Sequence, residues 1–253
     1  MIANSHHRFS KKQVVTSRAM NFILCILFLV TLSCSDDETE VVLVDDTPSV
    51  AFKYLALGDS YTKGEAVCDA CKFPSQLQDS LQNYLTSNEV INLKVVAQTG
   101  WTTTNLKTAI INENLNAEYD LVTLLIGVNN QYQNKPFLLY EQEFPELLNT
   151  AITVAKGDLN RVIVVSIPDY AYTLFGLGGN EDLISSQIDQ YNLFAKNHTE
   201  SLGVTFVNIT DITRQGLANP ALVAYDNLHP SELAYTKFVE RLLPIAKIKL
   251  GID

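Results

Sequence analysis

Positive charge is in short supply in this chain. Its 18 Lys and Arg stand against 28 Asp and Glu, for a formal net charge of −10. Affinity for nucleic acid rests on neutralising phosphates, so no partner of that kind is expected. Long apolar runs are missing as well. The run Phe22–Val30 is about half of the ~20 residues that a helix needs to cross a bilayer, which argues against a permanent span. Cysteine is limited to four residues, and Cys25 and Cys34 fall in the N-terminal segment. Only Cys68 and Cys71 are left for the remainder. A zinc site would need about two further nitrogen or sulfur ligands, and no second pair exists, so neither metal nor cofactor is expected. Histidine is as scarce. His6 and His7 lie in the same N-terminal segment, which leaves His198 and His229 as candidate bases. No internal repeat or low-complexity segment is present, and residues 51–253 have the length of one domain.

What is there begins with a leader. Residues 8–18 carry Arg8, Lys11, Lys12 and Arg18 and no acid, and Phe22–Val30 is followed by Thr31-Leu32-Ser33-Cys34. A basic segment, a short apolar segment and small residues read as an export signal over residues 1–33. The leader works from Met20 as well as from Met1. Leu32-Ser33-Cys34 resembles the lipobox of bacterial lipoproteins, which implies that Cys34 is diacylated and becomes the mature N-terminus. Residues 34–50 then form an acidic tether, with Asp36, Asp37, Glu38, Glu40, Asp45 and Asp46 and no basic residue among them. Such a run is a solvated linker. Acids directly after a lipidated cysteine also resemble the surface-export signal of some gram-negative lipoproteins. Without residues 1–33 the chain keeps 14 Lys and Arg against 28 Asp and Glu, a formal charge of −14. Anionic headgroups would repel it, so attachment would depend on the lipid. The expected place is the bacterial cell envelope, lipid-anchored at the outer membrane and surface-exposed, and the expected state is a monomer.

Strand-length apolar runs recur through residues 51–253: Lys53–Leu57, Leu93–Ala97, Leu121–Ile126, Val162–Ser166 and Val204–Asn208. Several are continuous rather than alternating, which suits a parallel sheet covered on both faces. Helical stretches separate them. Phe73–Leu85 places Leu77, Leu81 and Leu85 on one face, and Glu141–Ala155, Glu181–Ser201 and Ser231–Leu250 read the same way. Pro74 and Pro230-Ser231 suit helix starts, and Pro244 predicts a kink or break. The alternation predicts a three-layer α/β/α fold on a roughly five-stranded parallel sheet. Ligands of such sheets bind beyond the carboxyl ends of the strands.

Three short segments fall at those ends or in a late loop. Gly58-Asp59-Ser60 presents a serine in the turn after a strand, although a turn and helix cap would use the same residues. Gly127-Val128-Asn129 places an amide that could face a developing oxyanion, and Gly100 could add a backbone N–H beside Ser60's own. Asp226-Asn227-Leu228-His229 offers a general base with a carboxylate three residues earlier to hold its Nδ1. The same Asp226 and Asn227 would also suit a cap for the helix that follows. His198 sits late in a predicted helix and reads as a surface residue.

The order Gly-Asp-Ser, glycine, Gly-x-Asn, Asp-x-x-His resembles the GDSL/SGNH hydrolase family, esterases and lipases on a flavodoxin-like α/β/α fold. The resemblance runs from about Tyr54 to His229. It implies a serine esterase with Ser60, His229 and Asp226 as triad, Gly100 and Asn129 in the oxyanion hole, and an acyl-enzyme intermediate. O-acylated carbohydrates or small acyl esters would be the substrates. Two departures stand out: Tyr61 replaces the leucine usual in the first block, and Asn130 replaces the aspartate that often follows the block-three asparagine. Cys68-x-x-Cys71 suggests a disulfide, a redox pair or half a zinc site; outside the cytoplasm a structural disulfide is favoured. The rival readings are a thioredoxin-like disulfide oxidoreductase using Cys68 and Cys71, whose fold the regular alternation does not match, and a binding module without turnover. Trp101, Tyr132, Tyr170, Tyr172 and Phe175 are candidates for an aromatic rim.

Overall fold

Five parallel strands make the frame: β1 (Val50–Gly58), β2 (Glu89–Ala97), β3 (Leu121–Leu125), β4 (Val162–Val165) and β5 (Thr205–Val207), in the order β2-β1-β3-β4-β5. A computed structural model describes residues 50–252. The expected leader, the Cys34 lipidation site and the tether up to residue 49 lie outside the described residues. The sheet forms where the continuous apolar runs predicted it. Tyr54–Leu57, Leu121–Leu125 and Val162–Val165 are buried, with helices on both faces. A fully buried Leu or Val side chain contributes roughly 1.5–3 kcal/mol, so these strands make a large contribution to a core that the helices share.

Helices α2 (Phe73–Gln82) and α8 (Glu232–Leu250) pack together on one face, and α3 (Thr103–Glu113), α5 (Phe137–Val154) and α6 (Glu181–Ser201) on the other. Four of the five start for a legible reason. Pro74 stands in the first turn of α2. Thr102 and Asn105 close a capping box at the start of α3. Asn180 caps α6 and Ser231 caps α8 through their side-chain oxygens. Three short helices, α1 (Ser60–Lys63), α4 (Val128–Tyr132) and α7 (Thr210–Thr213), follow β1, β3 and β5 directly.

The structure corrects two expectations. The break expected at Pro244 does not occur, and helix α8 runs through that position as one element. Proline removes one N–H donor there, but Leu242 and Ala246 on either side are buried and hold the helix in place. His198 is half-buried rather than on the surface. Its ring stacks on Phe194 with centroids 6.1 Å apart and meets Phe144 edge-on.

Candidate active site

The strand order reverses between β1 and β3, and the crevice at such a switch point is where open α/β sheets hold ligands. Ser60 enters it from the end of β1. Asp59 caps α1, its Oδ1 accepting the Tyr61 N–H at 3.0 Å, which makes Ser60 the first helical residue. An N–H at that position has no acceptor inside its own helix. The other Asp59 oxygen is buried without a partner among the described residues, and burial pushes the carboxyl up to about 7.

Asn129 enters from the end of β3. The turn depends on Gly127 at φ +132°, where a Cβ would stand 2.6 Å from the Tyr140 ring. Asn129 lines the crevice, and its amide nitrogen has no hydrogen-bond partner among the described residues. Its neighbour Asn130 turns the other way. Asn130 Oδ1 accepts the Thr103 N–H at 2.9 Å, and its Nδ2 donates to the Thr103 hydroxyl at 2.7 Å. That hydroxyl donates to Glu143 at 2.5 Å, so the asparagine that departs from the family pattern ties the start of α4 to α3 and α5. Gly100, at φ +81° with open space where a side chain would stand, lines the same crevice after β2.

The last segment folds around one carboxylate. Asp226 Oδ1 accepts the N–H groups of Leu228 and His229, both at 3.0 Å, and Asp226 Oδ2 lies 2.5 Å from His229 Nδ1. Asn227 takes the left-handed conformation, φ +63°, that lets the segment close. Burial pushes the Asp226 carboxyl up. The bond to the His229 ring and the two backbone donors outweigh that and hold it below the usual carboxylate range. Ser231, not Asp226 or Asn227, caps α8.

Ser60, Gly100, Asn129 and His229 therefore line one cleft of about 270 Å³, and Asp226 stands behind the histidine. The Ser60 hydroxyl and the imidazole share the cleft without a direct hydrogen bond; such contacts often tighten only in the substrate complex. Most of the remaining lining is apolar: Val128, Tyr132, Tyr170, Phe175 and Leu228. Of the five rim candidates, Tyr132, Tyr170 and Phe175 line the cleft. Trp101 packs against the core instead, and Tyr172 lies exposed outside the cleft.

Sequence reasoning missed how the aromatic loop and the His229 segment are held. The Phe175 N–H donates to the Asn227 carbonyl at 3.1 Å, which joins the aromatic loop to the histidine segment. Asp169, fully buried, accepts from Arg214 Nε at 2.9 Å and the Ser185 hydroxyl at 2.7 Å, and anchors the other end of that loop. Tyr61 was legible only as a departure in the first block. In the structure it is buried and packs its ring against His229, centroids 5.1 Å apart.

Cys68 and Cys71 are joined by a disulfide in the segment between α1 and α2. His198, on α6, is not among the cleft residues.

Comparison with known proteins bears on the fold and the family. Three solved structures share the fold at a TM-score of 0.57. They are a member of the lipolytic protein G-D-S-L family from Veillonella parvula, the acetylxylan esterase Axe2 from Geobacillus stearothermophilus, and the lipase/acylhydrolase from Enterococcus faecalis. The first is 16% identical, over 76% of this chain and 97% of that one. The second is 22% identical, over 80% and 95%. The third is 19% identical, over 80% and 97%. No curated protein matches the chain. The sequence model of the GDSL-like lipase/acylhydrolase family matches residues 56–237, most of the described domain. The chain belongs to that family, and it is a carboxylic ester hydrolase.

Proposed function

We propose that the chain is a serine esterase acting through an acyl-enzyme, with Ser60 as nucleophile, His229 as general base and acid, and Asp226 orienting the imidazole. The observation that carries the reading is the Asp226–His229 contact at 2.5 Å on a residue that shares one cleft with Ser60, Gly100 and Asn129. His229 takes the Ser60 proton as Oγ bonds to the ester carbonyl carbon. The oxyanion forms against the Ser60 and Gly100 N–H groups and the Asn129 amide. Collapse breaks the carbon–oxygen bond to the alcohol, which leaves with the proton from His229. Water, deprotonated by His229, then releases the acid and returns the proton to Ser60. Asp226 fixes the tautomer and stabilises the imidazolium. Its carboxyl stays ionised below the usual range, so it serves that role across neutral pH.

A cleft of about 270 Å³ with an aromatic wall suits a short acyl group. One of the structural neighbours is named as an acetylxylan esterase, and that supports a short-chain acyl ester of a carbohydrate or other small alcohol. The reading includes residues 1–33 as an export signal, Cys34 as the lipid attachment site at the cell envelope, residues 34–50 as tether and 51–253 as the catalytic domain, acting as a monomer. It also gives the Cys68–Cys71 pair a structural rather than a redox role.

Hydrolysis of p-nitrophenyl acetate by the wild type, Ser60→Ala, Asn129→Ala and Cys68→Ser tests the proposal. Ser60→Ala falls close to background. Asn129→Ala loses roughly 10²–10³ in turnover, the usual effect of one oxyanion donor. Cys68→Ser keeps its activity. An oxidoreductase would show the reverse dependence on the cysteine in a dithiol assay, and a binding module would show no turnover in any variant.

A further inference from the structure

A second cavity, about 470 Å³, opens on the disulfide-closed segment between α1 and α2. Its lining is polar where the catalytic cleft is apolar: Lys63, Glu65, Asp69, Lys72 and the ring of Tyr225. The two cavities share a wall. Thr99 lines the catalytic cleft, and its hydroxyl donates to Glu65 while accepting from Lys63 Nζ at 3.3 Å. Lys63 and Glu65 are themselves paired at 3.0 Å, and Lys72 with Asp69 at 3.2 Å.

The second cavity borders the segment that carries His229. Tyr225 immediately precedes Asp226 and is 85% exposed. The Glu65 carboxyl is held below its ordinary range by the Thr99 hydroxyl first and the Lys63 ammonium next, and the His229 charge acts in the same direction. In ester hydrolysis the leaving oxygen has to reach the imidazole that protonates it. The alcohol half of the substrate therefore lies on the side where Tyr225 and Glu65 stand, and the apolar cleft is left for the acyl half.

We propose that this second cavity is the subsite for the alcohol half of the ester, and that it selects a neutral polyhydroxyl alcohol, a sugar, over an aliphatic one. The inference rests on the esterase reading above. Each cation in the wall already faces a carboxylate, so the cavity offers an anionic headgroup no unpaired positive charge. The paired groups still have donors and acceptors to spare for hydroxyls, and the exposed Tyr225 ring offers an apolar face with a polar tip. The disulfide and the left-handed turns at Gly64 (φ +81°) and Ala66 (φ +63°) hold the segment in shape before substrate arrives. Little ordering is then left to be done on binding.

The test keeps the acyl group constant and varies the alcohol. kcat/KM is measured on methyl 6-O-acetyl-glucoside and on hexyl acetate, for the wild type, Tyr225→Ala and Lys72→Ala. The wild type should prefer the sugar ester, and each variant should lower the ratio of sugar ester to hexyl acetate about tenfold, the effect of losing one ordinary contact. A wild type that prefers hexyl acetate, or variants that leave the ratio unchanged, overturns the subsite. A wild type inactive on p-nitrophenyl acetate as well would instead overturn the esterase reading itself.

Discussion

Asp59 is the residue at which local chemistry and stability meet. One oxygen caps α1 and the other is buried without a partner among the described residues, so ionisation is disfavoured and the carboxyl rises to about 7. In the unfolded chain the same group titrates near its ordinary value of 3.8. Below that value both states hold the proton and nothing is lost. As pH rises from about 4 to 7 the unfolded chain gives up its proton first, so stability falls, by up to about 1.4 kcal/mol per pH unit. Asn keeps the capping oxygen and removes the titration. Asp59→Asn should therefore raise the melting temperature more at pH 8 than at pH 5, read by circular dichroism; equal shifts at both would contradict the account. At this scale the sequence was informative wherever a motif is contiguous. Ser60, Asn129 and the Asp226–His229 pair could each be found from their neighbours in the chain. The contact of Tyr61 with His229 joins opposite ends of the domain, and no local pattern encodes it.

Helix α8 shows what packing can override. Pro244 lies exposed inside it, between the buried Leu242 and Ala246, and α2 packs against the same helix. Proline is about 3 kcal/mol less favourable than alanine in a helix interior. Pro244→Ala should raise stability by about 1–3 kcal/mol in a denaturant titration with no change in esterase activity. A loss of stability would mean that the stiffness proline lends the unfolded chain outweighs the missing hydrogen bond. Helix α3 is the opposite case, an element the apolar pattern did not announce. Its first turn is a run of threonines, poor in helix propensity. The signal that could have found it is the capping box of Thr102 and Asn105. The strands were legible because their runs are continuous, but their ends were not. β1 extends back to Val50 because it pairs with β2 along its whole length, and β5 shrinks to three residues at the sheet edge.

At the scale of the whole molecule, the alternation of strand and helix announces a parallel three-layer fold, yet strand order is a long-range property that no segment carries. The order β2-β1-β3-β4-β5 decides the chemistry, because it opens the crevice between β1 and β3 into which Ser60 and Asn129 project. Gly100 arrives beside them from β2 and His229 from the segment before α8. The central claim is that this convergence makes Ser60 a nucleophile served by His229. Reaction with a fluorophosphonate, followed by peptide mass spectrometry and residual ester hydrolysis, tests it most directly. The account predicts a single adduct on the peptide that contains Ser60, complete loss of hydrolysis, and no comparable labelling of His229→Ala. Hydrolysis that survives full labelling of Ser60, or an adduct on any other residue, would contradict it.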